Sequence, residues 1–292
     1  MLVENTTYKD IEWTTPLHSL IPEFVLEDEY LTNHITLEDA LSHRTGMPRH
    51  DLSWVNSNCG LKEIVQSLRH LSVSAPLRTK YQYCNMMYSS VAYMIETVTN
   101  MWLGDVLRQW LWEPLGMYES YWVMSDAQKC QNKDPECKMA LSYRWNNDTL
   151  TYAVYPLDTV PPPIGAGGII SNVNDYSKWI RALMHKAGPV SRAGHDALRW
   201  PHFAASVDAF PYTGPQWSGF GLFGSVYKGE KLFEHDGAIA GFSTKMGFLP
   251  DHNYGVVIMQ NSPEPALYVL SWRLIDDFLQ IPESSRANPN EQ

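Results

Sequence analysis

Long apolar runs, basic clusters and internal repeats are missing from this sequence of 292 residues. Aliphatic runs such as 256–259 are far shorter than the roughly 20 apolar residues that span a bilayer, so no transmembrane helix is predicted. The chain has 22 Lys and Arg against 32 Asp and Glu, and no stretch that could neutralise a phosphate backbone. This charge balance argues against nucleic acid as a partner. A composition of 44% hydrophobic and 18% charged residues excludes disorder, collagen and coiled coil.

Cysteine is scarce, with only Cys59, Cys84, Cys130 and Cys137 present. If the chain is oxidised, four cysteines allow three pairings, and the sequence does not choose among them. Only Cys130 and Cys137 are close in sequence, where a small loop-closing disulfide is sterically reasonable. Four reduced thiols are the alternative.

The beginning of the chain lacks the basic and apolar regions of a secretion signal, which favours retention in the cell. Two N-glycosylation triplets, at Asn5 and Asn147, favour instead an exported parent protein. The sequence leaves both compartments open.

Apolar periodicity predicts a helical region followed by strands. Thr36 with Asp39 three residues later predicts the N-terminus of a helix over 37–43, which ends at Gly46. Helical spacing predicts further helices after Gly60 and over 86–99, 103–112, 175–185 and 266–279. Short runs between turns predict three or four antiparallel strands over 221–227, 231–234, 242–249 and 254–260.

A Pro- and Gly-rich connector over 160–168 is the best internal boundary. The predicted architecture is α/β of the α+β kind, in a single domain over 1–292. Residues 36–160 form a mostly helical region, and 166–292 form an α/β region with C-terminal strands and a cover helix.

Three local patterns follow one another along the chain. They are LEDALSHRTGMP at 37–48, Tyr83-x-Asn85 ahead of an amphipathic helix, and His235-x-Gly237 on a predicted strand. This succession resembles the serine β-lactamase-like superfamily, in its class C β-lactamase, penicillin-binding protein and esterase branch with fungal relatives. The segments at 20–24, 113–117 and 167–171 are similar to further motifs of that family. The resemblance covers residues 11–280 and implies that family's fold, an antiparallel sheet covered by helices beside a mostly helical region.

The resemblance implies two catalytic residues, Tyr83 for proton transfer and His235 at a strand position where other branches carry Lys. A phenol of pKa about 10 is a poor base near neutral pH, so cations are expected close to Tyr83. An imidazole at position 235 could hydrogen-bond to the phenol or to a substrate carboxylate. Taken without the resemblance, Tyr83 is interpreted as a packing residue and His235 as a surface histidine.

The resemblance also implies three substrate-binding positions. Asn85 would orient the amide or ester of the substrate, although it could equally cap the following helix. Gly237 would let the acyl group approach the strand, because any Cβ would obstruct it. The backbone N–H of Ala238 would be half of an oxyanion hole. His43, in the Ser42–Gly46 helix end, is predicted to be structural.

The family's nucleophile, a Ser in a Ser-x-x-Lys tetrad ahead of the 20–24 segment, is missing from this sequence. The single match, Ser225 with Lys228, lies on a predicted strand and turn, where the two side chains could not cooperate. We therefore expect an N-terminally truncated relative, without the N-terminal strands and the nucleophile helix. We expect the tetrad to be encoded shortly upstream of Met1, and a gene with no in-frame Ser-x-x-Lys there would contradict this.

The predicted function is that of a serine β-lactamase-like hydrolase or acyltransferase acting on an ester, amide or lactam through an acyl-serine. The alternative is an inactive truncated relative or a ligand-binding pseudoenzyme. The predicted partner is a small-molecule acyl substrate, and no cofactor is predicted. No metal site is predicted either, because Gly46 and Pro48 separate His43 from His50 and Asp51.

Overall fold

The computed structural model describes residues 1–53, 59–156, 165–263 and 265–287. Most of the helices in these residues precede the main sheet along the chain. They are α1 (Leu17–Leu20), α2 (Glu29–His34), α3 (Leu37–Leu41), α4 (Leu61–Ser67), α5 (Asn85–Thr99), α6 (Leu103–Leu107), α7 (Glu113–Leu115), α8 (Met124–Lys133), α9 (Val173–His185), α10 (Arg192–Arg199) and α11 (Ala266–Phe278). A π-helical turn, Arg108–Trp112, joins α6 to α7.

The strands form one hairpin and one larger sheet. The hairpin pairs β1 (Ser142–Asn146) with β2 (Thr151–Tyr155). Six strands in the described residues form an antiparallel sheet in chain order. They are β3 (Phe203–Ser206), β4 (Gln216–Ser218), β5 (Phe223–Tyr227), β6 (Glu230–Ile239), β7 (Phe242–Leu249) and β8 (Tyr254–Gln260).

Two tight turns fix the register around β6. Lys228 and Gly229 join β5 to β6 with φ of 52° and 87°, and Ala240 and Gly241 join β6 to β7 with φ of 48° and 80°. Positive φ at both central residues defines the two-residue turn whose twist matches that of antiparallel strands. These turns align Tyr227 with Glu230 and Ile239 with Phe242.

Both faces of the sheet are covered by helices. On one face, Ile180 and Leu183 of α9 pack in a cluster with Phe233 and Phe248. On the other face, Trp272 and Ile275 of α11 pack with Leu232 and Leu249. Neighbouring residues of a strand point to opposite faces, so Leu232 and Phe233 serve the two layers separately.

The predicted antiparallel sheet and its C-terminal cover helix are confirmed. The sheet has six strands rather than three or four, and β6 runs to Ile239 rather than ending at residue 234. The helix predicted over 103–112 changes into the π-helical turn after Leu107. The hairpin and α10 were not predicted, and most of the 160–168 connector lies outside the described residues. Cys130 and Cys137 form a disulfide.

A buried carboxylate ties the helical region together in front of the sheet. Asp39 is fully buried and forms a capping box with Thr36 at the start of α3. Its Oδ1 accepts hydrogen bonds from Arg44 Nε at 2.6 Å and Arg78 Nε at 2.9 Å, and its Oδ2 accepts one from Arg78 Nη2 at 2.7 Å. Burial alone would raise the pKa of Asp39, but the hydrogen bonds from Arg78 and Arg44 outweigh it and lower that pKa. Asp39 thereby holds two loops against α3.

We expect Asp39→Asn to lower the free energy of unfolding by about 3 kcal/mol, because it breaks the buried ion pairs with Arg44 and Arg78 and leaves Arg44 only its pair with Glu38 among the described residues. Urea denaturation monitored by circular dichroism measures the change. The control is Asp105→Asn, which removes an exposed ion pair with Arg108 and should cost less than about 1 kcal/mol. Equal stability of the two variants would contradict the role given to Asp39.

Candidate active site

A buried histidine joins the end of α3 to the start of α5. His43 has φ of 56° and is 4% exposed, and its Nδ1 accepts the backbone N–H of Cys84 at 3.0 Å. Its ring centroid lies 4.3 Å from that of Tyr83 and 5.0 Å from that of Tyr88. Burial, with help from the charges of His235 and Arg49, lowers the pKa of His43 to about 3. The imidazole is therefore neutral, which an Nδ1 acceptor requires.

Tyr83 and Asn85 are positioned by the beginning of α5. Tyr83 is half-buried and directly precedes Cys84, the N-cap residue, whose side chain makes no capping hydrogen bond. Asn85 is the first helical residue, and its Nδ2 donates to Asp51 Oδ1 at 3.0 Å. The alternative that Asn85 caps this helix is therefore wrong, because the helix begins one residue earlier than predicted and the carboxamide is engaged elsewhere.

The cation expected near Tyr83 is Arg49, which sequence reasoning missed. Its guanidinium carbon lies 5.2 Å from the centroid of the Tyr83 ring, and its Nε donates to Asp51 Oδ2 at 2.8 Å. Burial raises the pKa of Tyr83, and the charges of Asp236 and Asp51 add to this rise, whereas Arg49 opposes it. The net shift is upward, so Arg49 alone leaves Tyr83 a neutral phenol. No motif or periodicity distinguishes Arg49 in the sequence.

The second half of the site is the open end of β6. Strand β7 pairs with β6 as far as Ile239, but β5 pairs with it only as far as Glu234. Residues 235–239 therefore extend beyond β5 and leave one edge of β6 without a partner strand among the described residues.

The two tight turns determine which backbone groups face this edge. The two residues that flank a two-residue turn exchange two backbone hydrogen bonds. Along an antiparallel ladder, such pairs alternate with pairs that exchange none. Tyr227 and Glu230 flank the first turn, so Glu230 and the other even-numbered residues of β6 direct their backbone N–H and C=O groups toward β5. Ile239 and Phe242 flank the second turn, so Ile239 and the other odd-numbered residues of β6 direct their backbone groups toward β7. The register therefore directs the N–H of Ala238 to the open edge.

Gly237 and Ala238 are both exposed on this overhanging part of β6. A Cβ added at Gly237 would lie 3.0 Å from Thr244 Oγ1 of the paired strand. A side chain at position 237 would therefore crowd Thr244 within the sheet, and it would also obstruct any acyl group that approaches the edge.

His235 is half-buried, and its Nδ1 lies 2.6 Å from the backbone oxygen of Asp236, to which it donates. Burial lowers the pKa of His235, and the charge of Asp236 opposes that shift. No hydrogen bond joins His235 to Tyr83 in the described residues, so the contact that the imidazole could make with the phenol is not formed here.

A series of aromatic rings connects the two halves. The centroid distances are 5.6 Å between His235 and Phe223, 6.3 Å between Phe223 and Tyr81, and 5.7 Å between Tyr81 and His43. The ring of His43 in turn contacts that of Tyr83 at an interplanar angle of 33°. The structure therefore brings the predicted residues of α5 and of β6 to the two sides of one aromatic cluster.

The isolated Ser-x-x-Lys match plays no part in this cluster. Ser225 is buried in β5, and Lys228 lies in the following turn, where its Nζ donates to the backbone oxygen of Ser285 at 2.5 Å. Within the described ranges, no three His, Cys, Asp or Glu side chains converge in a way that could hold a metal ion. In the same ranges, no helix is both long and apolar enough to cross a membrane.

The fold belongs to the class of β-lactamases and penicillin-binding proteins. It matches a penicillin-binding protein homologue of Pyrococcus abyssi with a TM-score of 0.80 at 19% identity, over 96% of this chain and 63% of that one. It matches a D-amino acid amidase of Ochrobactrum anthropi with a TM-score of 0.70 at 20% identity, over 96% of this chain and 87% of that one.

Sequence comparison establishes the family. The β-lactamase family model matches residues 4–280, so the chain belongs to the β-lactamase family. It is 37% identical to an unguisins hydrolase of Aspergillus campestris over 297 aligned residues, which cover 99% of this chain and 54% of that protein. The chain thus spans about half the length of the curated relatives it matches.

We expect His43 to make folding stability depend on pH. Its folded pKa of about 3 lies below the unfolded value of about 6.5, so the unfolded chain binds the extra proton as the pH falls below 6.5. The titration of His43 should therefore lower the free energy of unfolding by about 2 kcal/mol when the pH falls from 7.5 to 5.0. The matched variant is His43→Asn, because Asn tolerates positive φ, keeps an acceptor for Cys84 and does not titrate.

Urea denaturation of both proteins at the two pH values measures this effect. The variant should lose about 2 kcal/mol of the pH dependence, and the remainder comes from His195 and His235, whose pKa values burial also lowers. The same pH dependence in both proteins would show that His43 is not buried in its neutral form.

Proposed function

We propose that this chain supplies the tyrosine side and the oxyanion edge of a serine acyl-transfer site that hydrolyses amide bonds. The observation that carries the proposal is the open edge of β6 at Ala238, which begins at His235, a member of the same aromatic cluster as Tyr83. A backbone N–H at an unpaired strand edge is a ready donor for the oxygen of a tetrahedral intermediate. The proposal treats the helical region and the sheet as one domain with the site between them.

In the proposed reaction a serine Oγ attacks the substrate carbonyl, and its proton passes through Tyr83 to the leaving nitrogen. The Oγ–C bond forms, the C–N bond breaks and the amine departs. Water then attacks the acyl-serine, so that the carboxylic acid and the free serine are released. The N–H of Ala238 stabilises the oxyanion in both steps, and His235 assists the substrate or Tyr83.

The proposal requires a serine and a lysine from a Ser-x-x-Lys tetrad, which the 292 residues do not supply in a usable position. The pKa of Tyr83 explains why a lysine is needed. Burial raises this pKa, and Arg49 does not fully compensate. A second cation next to the hydroxyl would favour the phenolate that accepts the serine proton.

The names of proteins similar to this chain support the proposed substrate class. An unguisins hydrolase and a D-amino acid amidase are both similar to this chain. An amide substrate is therefore proposed over the ester and lactam that the motifs alone allow, and water over an alcohol as the acyl acceptor.

A second candidate function of these 292 residues is ligand binding without catalysis, which the open edge of β6 would allow. Removing the nucleophile from a set of residues that act together leaves little covalent catalysis, while the acyl-binding edge would persist. Such a protein would bind amides of the same class without cleaving them.

We expect the longest product of the parent gene to react with a fluorophosphonate probe and to hydrolyse D-phenylalaninamide. In that protein, Tyr83→Phe should lower kcat at least about 100-fold because a general base is lost. The matched control is Tyr81→Phe, which removes a nearby buried hydroxyl that has no hydrogen-bond partner among the residues the structure describes. Steady-state kinetics and intact-protein mass spectrometry measure both effects. Absence of labelling and of turnover in the gene product would overturn catalysis in favour of the ligand-binding alternative.

A further inference from the structure

The hairpin formed by β1 and β2 has an exposed aromatic face. Its register pairs Tyr143 with Val154 and Trp145 with Tyr152. Residues that lie opposite each other in a ladder share a face, and so do alternate residues of one strand, so these four side chains form one face. The rings of Trp145 and Tyr152 are in edge contact with centroids 5.1 Å apart, and the two residues are 39% and 52% exposed. A two-stranded hairpin cannot bury such a face by itself.

The opposite face of the hairpin packs on the main sheet. A Cβ added at Gly241, in the turn between β6 and β7, would lie 3.1 Å from the Cβ of Ser142 and 3.3 Å from the Cβ of Tyr155. Ser142 and Tyr155 are paired in the ladder, and each directly neighbours a residue of the aromatic face. The aromatic face is therefore turned away from the sheet and toward solvent.

One of the two glycosylation triplets lies at the tip of the same hairpin. Residues 147–150 form the turn between the strands, and Asn147, Asp148 and Thr149 make up the triplet. The side chain of Asn146 stabilises this turn, because its Oδ1 accepts the backbone N–H groups of Asp148 at 2.8 Å and of Thr149 at 3.2 Å. Asn147 is exposed, and its carboxamide has no hydrogen-bond partner among the residues that the structure describes. The folded protein can therefore accommodate a large group on Nδ2 of Asn147.

Trp145 precedes Asn147 by two residues on the same strand and turn. Two residues of a strand span about 7 Å, a distance that an N-glycosidic bond and one pyranose ring can bridge. One face of a β-linked N-acetylglucosamine ring consists of axial C–H groups and is flat and apolar. Packing that face on an exposed indole ring removes apolar surface of both partners from water. The first sugar of a glycan on Asn147 is thus a suitable cover for the Trp145 ring.

The triplet at Asn5 lacks this arrangement. The residue two positions earlier is Val3, which is half-buried and packs against the core of the helical region. Oδ1 of Asn5 accepts the backbone N–H of Thr7 at 2.9 Å, at the start of the 3₁₀ turn Thr6–Tyr8. The chain therefore contains one triplet with an exposed aromatic ring beside it and one without.

We propose that Asn147 is an N-glycan attachment site and that the first N-acetylglucosamine of the glycan packs on Trp145. In the reaction, Nδ2 of Asn147 attacks the anomeric carbon of a lipid pyrophosphate-linked oligosaccharide, which is the glycosyl donor of the secretory pathway. The N–C bond forms, the bond from the anomeric carbon to the pyrophosphate oxygen breaks, and the lipid pyrophosphate takes up the proton that Nδ2 loses. The inference is independent of the proposed function, and it implies export, one of the two possibilities that the sequence leaves open.

Secretion of the 292-residue chain from yeast, behind a leader that is removed, tests the attachment site. Every protein in the series carries Asn5→Gln, so that Asn147 lies in its one remaining triplet. Endoglycosidase H trims any glycan to a single N-acetylglucosamine. Peptide mass spectrometry should find this sugar on Asn147 in most molecules and should find none in Asn147→Gln. An unmodified Asn147 in the folded, secreted protein overturns the attachment site.

Hydrogen exchange of the β1 and β2 amides, followed by mass spectrometry, tests the contact with Trp145. The single sugar should slow this exchange at least about threefold relative to Asn147→Gln, which is the usual worth of one cross-strand contact. In Trp145→Ala the sugar should change the rate less than about 1.5-fold, because the ring that it covers is gone. Trp145→Phe keeps an aromatic ring and should retain most of the slowing. The control Trp200→Ala removes an exposed tryptophan outside the hairpin and should retain all of it.

The outcomes distinguish the two parts of the inference. A sugar that does not slow exchange, or that slows it equally with and without the Trp145 ring, overturns the packing contact and leaves the attachment site standing. Dimers of the trimmed protein that disappear in Trp145→Ala would assign the aromatic face to a second copy of this chain instead, and sedimentation velocity measures them. Thermal melting of each variant establishes that it is folded.

Discussion

The hydrogen bond from the backbone N–H of Cys84 to Nδ1 of His43 is the constraint on which the candidate site depends. It fixes the start of α5 against the end of α3, and therefore sets where Tyr83 and Asn85 lie. The bond exists only while the imidazole is neutral, and its burial ensures this near neutral pH. Asp39 supports the same arrangement from the other side by holding Arg44 and Arg78, which flank the two segments that meet at His43.

The sheet half of the site depends on a comparable constraint. Two tight turns of two residues each fix the register of β6, and the short β5 leaves its end open. Behind this end lies a buried ion pair, in which Lys245 Nζ is 2.8 Å from Glu234 Oε2 and both side chains are less than 5% exposed. Tyr212 donates to the same carboxylate, and Tyr268 of α11 donates to Asp236 at 2.8 Å. These contacts hold one face of β6 in place, while the edge formed by residues 235–239 has no partner strand among the described residues.

Sequence reasoning found the elements whose signals are local. The helix over 85–99 and the strands β7 and β8 have clear periodicity, and the capping box at Thr36 is a four-residue pattern. Sequence reasoning ended β6 too early because His235, Asp236 and Gly237 interrupt the apolar alternation, which an exposed strand end does not need. Arg49 and Asp51 were missed as site residues because their importance comes from contacts with residues more than 30 positions away. No spacing rule describes such contacts.

The proposed site requires the N–H of Ala238 and the carboxamide of Asn85 to face one ligand. Nuclear magnetic resonance of the ¹⁵N-labelled chain during titration with D-phenylalaninamide tests it most directly, since each group reports separately. If both groups face one ligand, the backbone signal of Ala238 and the side-chain signal of Asn85 both move and give one common dissociation constant. Movement of one signal without the other, or two different dissociation constants, would contradict it.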